Sequence, residues 1–180
     1  MSRIDESLEF IPVRIAVLTV SDSRTLENDT SGATLIARIQ EAGHIVADRA
    51  ICTDDREIIS ARLRKWCENP SIDVVISTGG TGLTGRDVTV EAHRDVYEKE
   101  IEAFGTIFTI VSMNKIGTSA VQSRATGGVA LGTYLFALPG STGACKDAWD
   151  EILKLQLDYR HRPCNFVEIL PRLEEHKRRK

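Results

Sequence analysis

Ile72-Asp73-Val74-Val75-Ile76-Ser77-Thr78-Gly79-Gly80-Thr81-Gly82, residues 72–82, joins an apolar run to a glycine-rich loop without a spacer. The run 72–77 has the pattern of a strand buried on both faces, as strands of parallel sheets are. Three glycines within residues 78–82 then let the backbone turn tightly and approach a ligand closely. Bare amide N–H groups in such a turn can cradle an anion, and Thr78 and Thr81 offer hydroxyl donors. The loop lacks the Lys-Ser/Thr ending of a P-loop and the spacing of a dinucleotide-binding fingerprint, which disfavours an ordinary P-loop ATPase or Rossmann dehydrogenase. A plain strand-to-helix turn is the competing reading.

Working outward, strand and helix patterns alternate. Residues 13–20 (VRIAVLTV) form a second β-branched run, ending in the polar turn 21–24. Asp29-Thr30-Ser31-Gly32 offers caps to a helix over 33–43, with Gly43 as its stop. A strand is expected over 44–52. A helix follows over 56–68, with Ile58, Ile59, Leu63 and Trp66 at helical spacing and Asn69-Pro70 as its break. Downstream of the glycine loop the pattern predicts a helix over 88–99 and helical structure over 101–124, broken near Gly117. Strands are expected at 129–130 and 133–138, then a long amphipathic helix over 142–159 and an irregular tail from residue 160. This alternation predicts a single α/β domain over residues 1–180, in three αβα layers with a central, mostly parallel sheet. Ligands of such sheets bind beyond the carboxyl ends of the strands, and the turns 21–24, 53–55, 78–82 and 139–141 all fall at that edge.

Those turns carry the candidate chemistry. Asp87, in Gly85-Arg86-Asp87-Val88-Thr89, follows the glycine loop and reads either as a Mg²⁺ ligand beside bound phosphate or as a helix cap. Glu91 lies one turn further on and either shares that face or serves the helix dipole. Asp54 is a second carboxylate at the edge, or else the cap of the 56–68 helix, with Asp55 competing for either role. Two carboxylates and an anion cradle suit phosphoryl or nucleotidyl transfer, where catalysis is mainly positioning and charge neutralisation. Gly140 and Ser141 offer a hydroxyl and a helix N-terminus to a phosphate, or a plain cap. Asp22 and Ser23 either hydrogen-bond a polar ring or only close a turn. None of the four histidines stands out as a base.

Composition narrows the field. A net charge of −3 argues against nonspecific nucleic-acid binding, which needs a basic footprint. The basic cluster, residues 176–180, reads as a solvated terminus. No segment approaches the roughly 20 apolar residues of a membrane helix. No signal peptide is legible, and Cys52, Cys67, Cys145 and Cys164 form no C-x-x-C pair, so a cytoplasmic location with free, buried or half-buried thiols is expected.

The stretches 77–82, 86–89 and 91–92, with 21–24, 29–32 and 138–141, resemble the MoaB/Mog family of molybdenum cofactor biosynthesis proteins over about residues 12–168. Residues 117–124 and 162–166 look like the MoaB branch. The resemblance implies a molybdopterin-binding α/β domain. It also implies Mg²⁺-dependent adenylyl transfer from ATP to molybdopterin, releasing pyrophosphate. By the same resemblance Asp54 and Asp87 are the catalytic and metal-binding aspartates, Thr78, Gly79, Gly80, Thr81 and Gly82 form the ligand cradle, and Ser141 is the serine of the Pro-Gly loop. The Arg-Asp-Val-Thr pattern that some members lack is kept, but Val90 stands where many active members have proline. A homo-oligomer, trimer or hexamer, is implied as well, with other enzymes of the same biosynthesis as candidate partners. A noncatalytic molybdopterin carrier and an oligomeric scaffold are the alternatives.

Overall fold

The computed structural model describes residues 3–178. Its strands are β1 (Arg3–Ile4), β2 (Arg14–Val20), β3 (Ile45–Cys52), β4 (Val74–Thr78), β5 (Lys99–Glu100), β6 (Thr126–Ala130), β7 (Thr133–Leu138) and β8 (His161–Arg162). The α-helices are α1 (Thr30–Glu41), α2 (Arg56–Cys67), α3 (Thr89–Arg94), α4 (Glu102–Ile116), α5 (Thr142–Ala148), α6 (Lys154–Gln156), α7 (Phe166–Ile169) and α8 (Glu175–Arg178). The main sheet runs β3-β2-β4-β7-β6-β5. β3, β2, β4 and β7 are parallel, while β6 is antiparallel to both β7 and β5.

Alternation of side chains along β2 explains why its sequence is apolar throughout. Ile15 and Val17 enter one core with Leu35 and Ile39 of α1, Phe104 and Phe108 of α4, and Cys145 and Ala148 of α5. Ala16, Leu18 and Val20 enter a second core with Ile59 and Leu63 of α2 and Ala92 of α3. Each face of the sheet is therefore covered by helices, as the continuous run predicts. Burying a Leu or Ile of this kind contributes about 2 kcal/mol relative to exposure.

β6 begins at Thr126, three residues before the strand expected at 129–130, and α1 begins at Thr30, three residues before the expected 33; three further segments differ more. The helix expected over 88–99 stops at Arg94. The Tyr97 ring packs against Gly128, where a β-carbon would meet it at 2.4 Å, and Glu98 N–H donates to the Val129 carbonyl at 2.8 Å. Pairing with β6 thus takes the backbone bonds that a longer helix would need. The helix over 142–159 ends at Gln156 and contains a π-helical turn, Trp149–Leu153, between α5 and α6. The added residue of such a turn shifts the helix face, and here Trp149, Ile152 and Leu153 are all buried. The tail is more ordered than expected, since β8 pairs antiparallel with β1. Of the basic cluster, Lys177 pairs with Glu174, and residues 179–180 lie outside the described residues. The four cysteines are free, but Cys164 is exposed rather than buried.

Candidate functional site

β2, β3, β4 and β7 deliver their following turns to one edge, and the contacts between those turns are close. Gly79 (φ +101°) packs on β2 so tightly that a β-carbon would lie 2.2 Å from the Val20 carbonyl oxygen, and its N–H donates to Leu138. Only glycine fits both the left-handed backbone and that approach. Gly140 meets Gly79 from the other side, its β-carbon position 3.1 Å from the Gly79 Cα. At Gly80 (φ +62°) a β-carbon would lie 2.4 Å from Thr89 Oγ1 and 2.7 Å from Asp54 Oδ1. The glycine loop therefore stands between the turn that follows β3 and the start of α3.

Asp55, not Asp54, caps α2: its Oδ1 accepts from Glu57 and Ile58 N–H, both at 2.9 Å. Asp54 is thereby left at the edge. Its N–H donates to Asp22 Oδ1 at 3.2 Å, and Asp22 forms an ion pair with Arg86. Partial burial raises the Asp54 pKa, the Asp22 and Asp87 carboxylates raise it further, and Arg86 opposes them. Three carboxylates thus converge at this edge, and repulsion among them disfavours the ionised form of Asp54.

Asp87 does not cap α3, whose N-cap residue is Val88 without a side-chain bond. It closes the turn before the helix instead. Oδ2 accepts from the Thr84 hydroxyl at 2.6 Å and the Thr84 N–H at 2.8 Å. Thr84 first, then the Gly82 amide and the Arg124 charge, hold its pKa below the ordinary carboxylate value against partial burial. Asp87 is therefore a fixed anion beside Gly82.

The other candidates divide. The Thr78 hydroxyl is buried and donates to the Pro139 carbonyl at 3.0 Å, so it ties two turns together and offers nothing to a ligand. Thr81 is buried too. Ser141 caps α5, accepting from Ala144 N–H at 3.2 Å, which leaves its hydroxyl hydrogen to donate outward. Ser23 is exposed, in a turn held by the Ser21 hydroxyl. Glu91 pairs with Arg124 instead of facing the edge. Thr89, one residue into α3, has a buried hydroxyl with no hydrogen-bond partner. Under the loop, His93 is wholly buried between Ser77 Oγ (2.9 Å) and Tyr97 OH (3.2 Å), and burial lowers its pKa to about 3. It is a neutral support of β4, not a base.

Arg124 ends the stretch 117–124 that resembles the MoaB branch, but sequence reasoning gave it no role at the site. It closes the segment between α4 and β6, and nothing local in the sequence points from it to a loop more than forty residues upstream.

The donor set suits a hard, oxygen-seeking cation, since two carboxylates meet a glycine loop with no thiol or imidazole among them. Among the described residues no group of three or more His, Cys, Asp and Glu side chains is placed to hold a metal alone. A cation here would share its coordination with substrate phosphates. No helix among the described residues is long and apolar enough to cross a membrane.

The domain described as "Probable molybdopterin binding domain" matches residues 16–159. The Molybdenum cofactor biosynthesis protein B of Escherichia coli (strain K12) is 51% identical over 160 residues, which cover 89% of this chain and 94% of that protein. That of Bacillus subtilis (strain 168) is 42% identical over 142 residues, covering 78% and 84%. A crystal structure of a Molybdenum cofactor biosynthesis protein B superposes with a TM-score of 0.83 at 37% identity, covering 92% of this chain and 98% of that one.

Proposed function

The chain belongs to the MoaB/Mog family, and on that premise we propose that it acts in molybdenum cofactor biosynthesis by transferring the adenylyl group of ATP to molybdopterin. The observation that supports this most is the meeting of Asp54, Asp87 and Gly79–Gly82 at one sheet edge. In the proposed step an oxygen of the molybdopterin terminal phosphate forms a bond to the α-phosphorus of ATP. The α–β phosphoanhydride bond breaks, and pyrophosphate leaves with the electron pair. Both reactants are anions, so the barrier is largely repulsion. The backbone amides of the glycine loop would bind phosphate oxygens, and the Ser141 hydroxyl would donate to one more. Asp54 and Asp87 would hold Mg²⁺ against the substrate phosphates, where the cation neutralises the charge that builds up on transfer. Asp54 fits this task because partial burial, and then the Asp22 and Asp87 carboxylates, disfavour its charge until a cation arrives.

A second reading has its own observation. Asp87 Oδ2 is already engaged by Thr84, as a purely structural aspartate would be. That favours a carrier which binds molybdopterin without consuming ATP. Purified protein given molybdopterin, ATP and Mg²⁺ separates the two. Adenylyl transfer predicts adenylylated molybdopterin and pyrophosphate, with Asp87→Asn lowering turnover far more than molybdopterin affinity. Molybdopterin binding without pyrophosphate release would support the carrier.

The same reading includes assembly with further copies of the chain, as a trimer or hexamer. α4 is apolar on both faces: Phe104 and Phe108 enter the core, while Ile110, Met113 and Ile116 are each more than half exposed. A helix that is apolar all round belongs in an interior. Light scattering on the wild type and on Ile110→Glu checks this, with a smaller mass expected for the variant.

A further inference from the structure

We propose that Arg124 is a positioning residue of this site, which sets the orientation of the glycine-loop peptides and through them the Asp87 carboxylate. This rests on the adenylyl-transfer reading for its effect on rate, but its structural part stands apart from it. The guanidinium satisfies four acceptor groups. Nε donates to the Thr81 carbonyl at 2.8 Å and the Gly82 carbonyl at 3.0 Å. Nη2 donates to the Asp87 carbonyl at 3.2 Å, and both terminal nitrogens bond the Glu91 carboxylate. A single planar fork thus spans the end of the glycine loop, the turn that carries Asp87, and α3.

Peptide geometry turns those contacts into a consequence for the site. In a trans peptide the C=O and N–H point in opposite directions. Drawing the Thr81 and Gly82 carbonyls onto Arg124 therefore turns the N–H groups of Gly82 and Leu83 away from it. Gly82 and Asp87 already touch, since a β-carbon at Gly82 would lie 2.8 Å from Asp87 Oδ2. Glycines at 79, 80, 82 and 85 impose little backbone preference of their own, so the geometry of residues 81–87 depends on contacts. Arg124 supplies it from another part of the fold, and Glu91 keeps the guanidinium in place. Lysine could not do this, since an ammonium has no planar fork to serve several fixed acceptors.

The test compares full-length wild type, Arg124→Ala and Arg124→Lys by hydrogen exchange and by turnover. Exchange at residues 81–87 is expected to rise at least about tenfold in both variants while β2 and β7 keep wild-type protection. The kcat for adenylyl transfer is expected to fall by about a hundredfold with the KM for ATP within about threefold. Added guanidinium should restore part of the activity of Arg124→Ala. Unchanged exchange at 81–87 in Arg124→Ala would overturn the proposal, as would an equal rise in β2 and β7, which marks a general fold defect. If the wild type shows no adenylyl transfer, the functional reading falls, and the exchange measurement still decides the role of Arg124.

Discussion

Asp29 and Asp54 lie at the same edge of the same sheet, each just before a helix, yet the fold treats them in opposite ways. Asp29 is buried and saturated. It accepts from Thr19 Oγ1 at 2.7 Å, Gly32 N–H at 2.9 Å and Arg49 Nη2 at 3.0 Å. Burial would raise its pKa, but those donors outweigh burial and hold it low. Asp54 is partly buried among like charges and has a raised pKa. The first carboxylate is locked into architecture. The second is held in a state that a cation or a phosphate-bound metal would relieve. An acid at a strand end is thus read by its donors, not by its position.

Asp29→Ala leaves Arg49 in a half-buried site without its partner and removes the cap of α1, and a loss of about 3–5 kcal/mol is expected in urea unfolding. A loss under about 1 kcal/mol would show that the buried pair is not structural. Asp54→Asn should do the reverse. Removing one of three neighbouring carboxylates is expected to leave stability equal or slightly higher, while turnover falls at least about a hundredfold, comparable to losing a transition-state contact of about 2.7 kcal/mol.

A pH series sharpens the contrast. His93 and His44 are held neutral by burial, with pKa values lowered to about 3 and about 4 from 6.5. The unfolded chain therefore binds protons that the folded chain does not as pH falls below 6.5. Their contribution is complete above that pH and is lost on acidification down to about pH 4 for His44 and about pH 3 for His93, with a slope of about 1.4 kcal/mol per pH unit for each histidine. Asp54 acts in the opposite sense, because its protonation relieves the carboxylate edge. Urea midpoints for wild type and His93→Gln are expected to differ in slope between pH 6.5 and 4 by about one proton. The smallest effect belongs to Asp55→Ala, which removes the α2 cap at a cost of about 1 kcal/mol and should spare turnover.

These contrasts also mark what the sequence could carry. The apolar runs of β2 and β4, the glycine loop and the sharing of one edge by four turns were legible, because each depends on local pattern and on the rule for parallel sheets. Which of Asp54 and Asp55 caps α2 was not, since both precede the helix and only backbone geometry separates them. The Asp29–Arg49 pair joins the cap of α1 to β3, twenty residues on, and the Arg124 clasp joins residues more than forty apart. Such contacts arise from packing and leave no periodicity. The early end of α3 was hidden for the same reason, because Tyr97 meets Gly128 only once β6 is in place.

On the adenylyl-transfer proposal, Asp54 serves chemistry and not the fold. The most direct measurement is pyrophosphate release from ATP in the presence of molybdopterin and Mg²⁺, by wild type and Asp54→Asn, with thermal unfolding of both recorded in the same buffer. The expected result is release by the wild type, its loss in the variant, and a variant Tm equal to or above that of the wild type. Release that survives in Asp54→Asn would show that transfer does not need Asp54, and loss of release together with a collapse in Tm would make Asp54 a structural residue.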